Sequence, residues 1–161
     1  MAQVYHYSDP HFGHLNIAIK RGFQTVEEHD EYIIQQWNST VNKNDKIFLH
    51  GDITMEKDKY SILKRLKGQI VVIGGNHDKP GHTKEMLKYV SGFAGAIKYK
   101  GFILTHIPIH PIELDDKRFI ANIHGHFHLK VLDDKRYINV SAENINYKPV
   151  LFTEISAQFA I

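Results

Sequence analysis

Short apolar blocks alternate with polar, glycine-containing corners along the whole chain. Val4 to Ser8 reads as a strand that ends at Asp9-Pro10-His11-Phe12-Gly13, where Pro10 stops pairing and Gly13 permits a turn. Thr25 and Glu28 have the spacing of a capping box, and Tyr32, Ile33, Trp37 and Val41 recur at helical spacing, which predicts a helix over about 25–41. A second strand covers 46–50 and stops at Gly51-Asp52. Ile62, Leu63 and Leu66 mark another helix, closed by Gly68. The continuous apolar run at 69–73 has the character of a strand buried on both faces, and it ends at Gly74-Gly75-Asn76-His77-Asp78. A short helix is expected at about 82–90. Strands are expected at 95–99, 102–105, 119–124, 136–140 and 147–154, with Lys100-Gly101 as a hairpin turn.

The order β-α-β-α-β-α followed by a run of strands predicts a parallel sheet covered by helices and a second, more antiparallel sheet. The expected fold class is therefore α/β, with two packed sheets flanked by helices. At 161 residues, and with no repeat or linker-like change in composition, residues 1–161 read as one domain. A net charge of +2 is too balanced to argue for long nucleic acid. No apolar run approaches the roughly 20 residues that span a bilayer, and no signal peptide is evident. The chain has no cysteine, which excludes thiolate metal sites and a Cys nucleophile; it fits a reducing compartment, so the expected location is cytoplasmic. Twelve histidines, several beside Gly, Asp or Asn, point instead to imidazole–carboxylate metal chemistry.

The position of the polar residues carries the functional reading. Asp9/His11, Asp52, Asn76/His77/Asp78, His106 and His126/His128 each follow a predicted strand, where sites form in open α/β sheets. In extended backbone the members of the Asp9/His11 and His126/His128 pairs point the same way. Taken singly, Asp9 could cap a helix and Asn76 could belong to a turn. Five strand ends together argue against coincidence. Asp9, His11, Asp52, Asn76, His106, His126 and His128 offer only N and O donors. Seven are too many for one tetrahedral zinc and suit two ions sharing a bridging carboxylate. Such donors favour Mn²⁺, Fe, Zn, Ni or Co over Ca or Mg.

The series Asp9-x-His11, Gly51-Asp52, Gly75-Asn76-His77-Asp78, His106 and Gly125-His126-x-His128 resembles the calcineurin-like metallophosphoesterases, with all five blocks in that family's order. Ser8 to His14, Trp37-Asn38 and Asn139-Val140-Ser141 resemble its small bacterial and phage branch. The resemblance implies a four-layer αββα sandwich and two divalent ions, with Mn²⁺ the first expectation. It implies Asp9, His11 and His128 on one ion, Asn76, His106 and His126 on the other, and Asp52 as the bridge. It further implies His77 as the phosphate contact and proton donor, with Asp78 orienting it. Ile53-Thr54-Met55-Glu56 lacks the further Asp or Gly that many relatives carry after Gly-Asp. The implied reaction is hydrolysis of a phosphodiester or phosphomonoester by a hydroxide held between the ions.

The chain is short for such a family, which leaves few residues for a cap domain and predicts an open site for a small nucleotide-like substrate. The rival readings are a catalytically silent scaffold, as in the retromer coat, and a nuclease acting on short oligonucleotides. His14, Arg21 and Asn38 are candidate substrate contacts: His14 lies just past the first block, and the guanidinium fork of Arg21 suits phosphate. His110 is a candidate to face the cleft. His50 and His124 should point away from their neighbours by strand alternation, and Phe12 reads as packing. Ser156 to Ile161 reads as an apolar tail that packs on this domain or on another subunit.

Overall fold

In the computed structural model, which describes residues 1–159, strand alternation sets the layers. In β2 (Lys46–Leu49), Ile47 and Leu49 enter one apolar cluster while Phe48 enters the other. In β3 (Gln69–Ile73), Ile70 and Val72 face the first cluster and Ile73 the second. Both faces of this sheet are thus buried, as its apolar sequence requires. With β1 (Val4–Tyr7), β4 (Gly92–Ala94) and β9 (Val150–Leu151), these strands form a sheet of order β4-β3-β2-β1-β9. All its pairings are parallel except β1 with β9.

Helix α2 (Val26–Thr40) covers one face of this sheet. Its predicted capping box is present, and Ile33, Ile34 and Trp37 are buried in the first cluster. The second cluster lies between the sheets, where Phe48 and Ile73 meet Phe102, Leu104, Ile123 and Val140. The second sheet has the order β5-β6-β7-β8, from Ile97–Tyr99, Phe102–Leu104, Asn122–His124 and Tyr137–Asn139. The fold is therefore α/β, with two mixed sheets and flanking helices. Among the described residues, no helix is long and apolar enough to cross a membrane.

Several expectations are corrected. The second sheet has only one antiparallel pairing, the β5–β6 hairpin at Lys100-Gly101; β6–β7 and β7–β8 are parallel. The expected strand at 95–99 shortens to β5, and β4, which precedes it in the other sheet, was not expected. The 147–154 strand shrinks to β9, and α5 (Phe152–Ala157) follows, with Phe152 and Ile155 buried at helical spacing. The second helix is a 3₁₀ helix at Lys57–Arg65, and the 82–90 helix reduces to a 3₁₀ turn at Pro80–His82 and α3 (Thr83–Met86). Helices α1 (Leu15–Lys20) and α4 (Ile112–Asp115) carry no sequence signal. Ala18 is the buried residue of α1 and Leu114 that of α4, so neither leaves an apolar stripe to read. Within the apolar tail, Phe159 packs on the second cluster, whereas Ala160 and Ile161 lie outside the described residues.

Candidate metal centre

The carboxyl ends of β1, β2, β3, β6 and β7 deliver the chemistry-bearing blocks to one rim. The backbone there is unusual: Asp9, His11, Asp52, His126 and His128 all have φ between 50° and 70°. Non-glycine residues in the left-handed region cost about 1 kcal/mol or more each and cluster at functional sites. Crowding explains two of the neighbouring glycines. A Cβ on Gly51, itself at φ +77°, would lie 2.4 Å from the Gly75 nitrogen. One on Gly125 would lie 1.8 Å from Ser8 Oγ and 2.5 Å from Asp9 Oδ2.

Two groups of donors result: Asp9, His11 and His128, and Asp52, His106 and His126. Within each group, one potential donor atom per residue lies within 4.8 Å of the others. Asp52 Oδ2 links them, 3.8 Å from His11 Nε2 and 3.3 Å from His106 Nε2. Each aspartate has one oxygen anchored and one turned to the histidines. Asp9 Oδ2 accepts from His126 N–H and the Ser141 hydroxyl, while Oδ1 has no partner and lies 3.8 Å from His11 Nε2. Asp52 Oδ1 accepts from His77 N–H, 2.9 Å away. Both ring nitrogens of buried His11 also lack partners.

Tautomers sharpen the picture. His106 Nδ1 lies 2.6 Å from the His50 carbonyl and must donate to it. Nε2 of the neutral ring is then a lone pair, facing Asn76 Oδ1 at 2.9 Å and Asp52 Oδ2. Three acceptors converge with no donor among them, an arrangement that a cation or an added proton resolves. Burial works against charging His106, but the hydrogen bond and charge of Asp52, with Asp9, outweigh it and raise its pKa. Burial dominates at His11 and lowers it to about 3, against the pull of Asp52. These N/O donors could hold divalent ions, and the unpartnered atoms are the ones such ions would satisfy.

A supporting layer escaped sequence reasoning. Glu143 Oε1 accepts from Arg21 Nε at 2.8 Å and pairs with His128 Nδ1 at 3.0 Å. Burial pushes its carboxyl up, but the bonds from His128 and Arg21 prevail and hold it at about 2. The same bond raises His128. Asn139 and Asn144 both donate to the His128 carbonyl. His50 donates from Nδ1 to the Thr105 carbonyl, so its Nε2 accepts from His6 Nδ1 at 2.9 Å. Ser141 and Asn139 stood in the sequence as part of a late motif; Glu143, two residues further on, had no spacing to mark it.

Three candidate residues have contacts other than those expected of them. Arg21 is buried and its guanidinium is occupied by Glu143, His29 and the carbonyls of Asp9 and Pro10, so it braces the first ligand block instead of offering itself to phosphate. Asn38 is bonded to Arg65 and Lys67 backbone at the other end of α2 and makes no contact with the donor groups. Asp78 does not bond the His77 ring. Its carboxylate accepts from Asp52, Ile53 and Gly75 N–H and from the Tyr60 hydroxyl, which clamps the Asp52 loop. Burial raises its pKa against those bonds. His77 stays at the rim, 43% exposed at its side chain, with Nε2 3.9 Å from Asp52 Oδ2. His14 caps α1 through Nδ1, with its ring 6.1 Å from that of His11. His110 is exposed, His50 and His124 are buried, and Phe12 is fully buried packing.

Known proteins resemble this chain in sequence and in fold. An uncharacterized protein of Methanocaldococcus jannaschii is 38% identical, over 93% of this chain and 87% of its own length. The gene 66 protein of Mycobacterium phage L5 is 33% identical over 54% of this chain and 39% of its own. A crystal structure of an Aquifex aeolicus protein of unknown function shares the fold, with a TM-score of 0.76 at 24% identity over 98% of this chain and all of that one. The profile of the calcineurin-like phosphoesterases matches residues 2–155. With five donor-bearing strand ends, two His/Asp groups and a match across nearly its whole length, the chain belongs to the calcineurin-like phosphoesterase family, whose members are metal-dependent.

Proposed function

We propose that the protein hydrolyses a phosphodiester or phosphomonoester bond of a small, nucleotide-like substrate at a dinuclear centre. The observation that carries this reading is the convergence of Asp9 Oδ1 and His11 Nε2, both buried without a partner, with Asp52 Oδ2 and with the facing Asn76 Oδ1 and His106 Nε2. Asp9, His11 and His128 would hold one divalent ion, Asn76, His106 and His126 the other, and Asp52 both. Mn²⁺ is the first candidate, with Fe, Zn, Ni and Co behind it. When bound, such a pair supplies Lewis-acid stabilisation of phosphoryl charge and a nucleophile at neutral pH.

The chain's residues do the rest. Asp52, clamped through its backbone by Asp78 and through Oδ1 by His77 N–H, keeps Oδ2 at the junction of the two groups. His77 holds a ring nitrogen at the rim, positioned to protonate the departing oxygen as the P–O bond breaks. The intact donor set together with His77 favours an enzyme over a silent scaffold.

The test is hydrolysis of bis(p-nitrophenyl) phosphate and p-nitrophenyl phosphate by metal-stripped protein with and without Mn²⁺. Turnover should appear only with metal. His77→Ala should lose roughly 100-fold or more on an alkyl leaving group, which needs a proton, and far less on p-nitrophenolate, which does not. Equal losses on both would remove the proton-donor role. Absence of turnover with every candidate metal would overturn the proposal.

A further inference from the structure

Beside the two donor groups lies an open cleft of about 880 Å³, and His126 and His128, one from each group, line it. Ile17, Phe127, Leu129 and Tyr147 supply apolar and aromatic wall, while Lys20 and Lys130 add charge. The space is in the range of small-molecule sites and exceeds what a bare phosphate needs. Its electrostatics are one-sided. Glu143, the only acidic residue lining it among the described residues, is neutralised by buried Arg21 and by His128. Lys20 and Lys130 are exposed and, among the described residues, take part in no ion pair. Exposed, unpaired lysines on an apolar cleft that opens from a phosphate-handling site call for a second anion on an aromatic body.

Resting on the phosphoesterase reading above, we infer that this cleft receives the larger ester arm of the substrate: a nucleoside carrying a further phosphate. The base lies against Phe127 and Leu129, the scissile phosphate sits at His126 and His128, and Lys20 and Lys130 meet the second phosphate. Two phosphates on one nucleoside make the substrate a derivative of a nucleoside bisphosphate.

The test titrates Mn²⁺-loaded protein calorimetrically with inorganic phosphate, thymidine 5′-monophosphate and thymidine 3′,5′-bisphosphate. Affinity should rise at least tenfold at each step. Lys20→Ala/Lys130→Ala should erase the second step and leave the first, and Leu129→Asp, at a residue that is 72% exposed, should weaken the first. Equal affinity for the three ligands, or a second step that survives loss of both lysines, overturns the inference; a dimer in light scattering would then put a second copy over the cleft. Turnover of methyl p-nitrophenyl phosphate, whose methyl arm is too small to reach the lysines, separates the two readings. It should be unchanged in the double-lysine variant. Its absence in the native protein, together with absence of p-nitrophenyl phosphate turnover, refutes phosphoester cleavage while the titration still decides the cleft, and its presence without the affinity ladder refutes the cleft alone.

Discussion

Glu143 is the residue on which the first donor group turns. Its carboxylate fixes the His128 ring through Nδ1 and neutralises Arg21, which in turn holds the Asp9 and Pro10 carbonyls. Partners of this kind orient metal-binding histidines, and removing one typically costs 10- to 100-fold in metal affinity. Glu143→Gln should therefore lower Mn²⁺ affinity at one of two ions by about that factor, read by equilibrium dialysis. It should also destabilise the metal-free fold by about 3 kcal/mol, since it leaves the Arg21 charge buried without its counter-ion. Unchanged affinity would reduce Glu143 to a structural ion pair. The seven proposed ligands were legible in the sequence because each follows a strand. Glu143, Arg21 and Asp78 were not, because their roles rest on partners up to 122 residues away in the chain. A guanidinium and a carboxylate at a rim look alike in sequence whether they meet substrate or each other.

At the level of elements, the site is a set of five strand ends, and three of them, after β1, β2 and β7, fold back through left-handed backbone at Asp9, His11, Asp52, His126 and His128. Glycines make room where these ends touch. Gly125→Ala would press a methyl into Ser8 and Asp9, and overpacking of that kind costs about 3 kcal/mol or more where neither neighbour can yield. Gly81→Ala, where nothing lies within 4 Å of the new Cβ, should be neutral or stabilise by up to about 1 kcal/mol. Urea unfolding of the two variants checks the contrast, and equal effects would contradict the crowding. Regular elements with a buried stripe, such as α2 and β3, were readable from periodicity. Helices α1 and α4 were not, because each buries a single residue, and neither was β4, three residues with no fully buried side chain just before residues 95–96 carry the chain from one sheet to the other.

For the molecule as a whole, the histidine-rich interior ties stability to pH. Burial lowers His6 well below its ordinary value and takes His50 to about 3, the Thr105 carbonyl opposing it, and His124 to about 4, the Gly125 carbonyl opposing it. The unfolded chain binds these protons below about pH 6.5 while the native protein does not, so stability is complete above that value and falls as the pH drops toward 3–4. The raised His106 and His128 act the other way only above about 6.5, where their contribution is lost as pH rises. Metal-free protein should lose roughly 3 kcal/mol per pH unit below 6 from the His6–His50 pair alone, seen as a falling urea midpoint between pH 7 and 5. A flat profile would mean that the buried rings are charged or hydrated. The central claim is that two ion sites share Asp52, and the most direct measurement is the number of Mn²⁺ ions bound per chain at equilibrium in native protein and in Asp52→Asn. Two ions in the native protein, and a loss of at least tenfold in affinity at both in the variant, is the predicted result. One ion per chain, or two bound unchanged by Asp52→Asn, would contradict it.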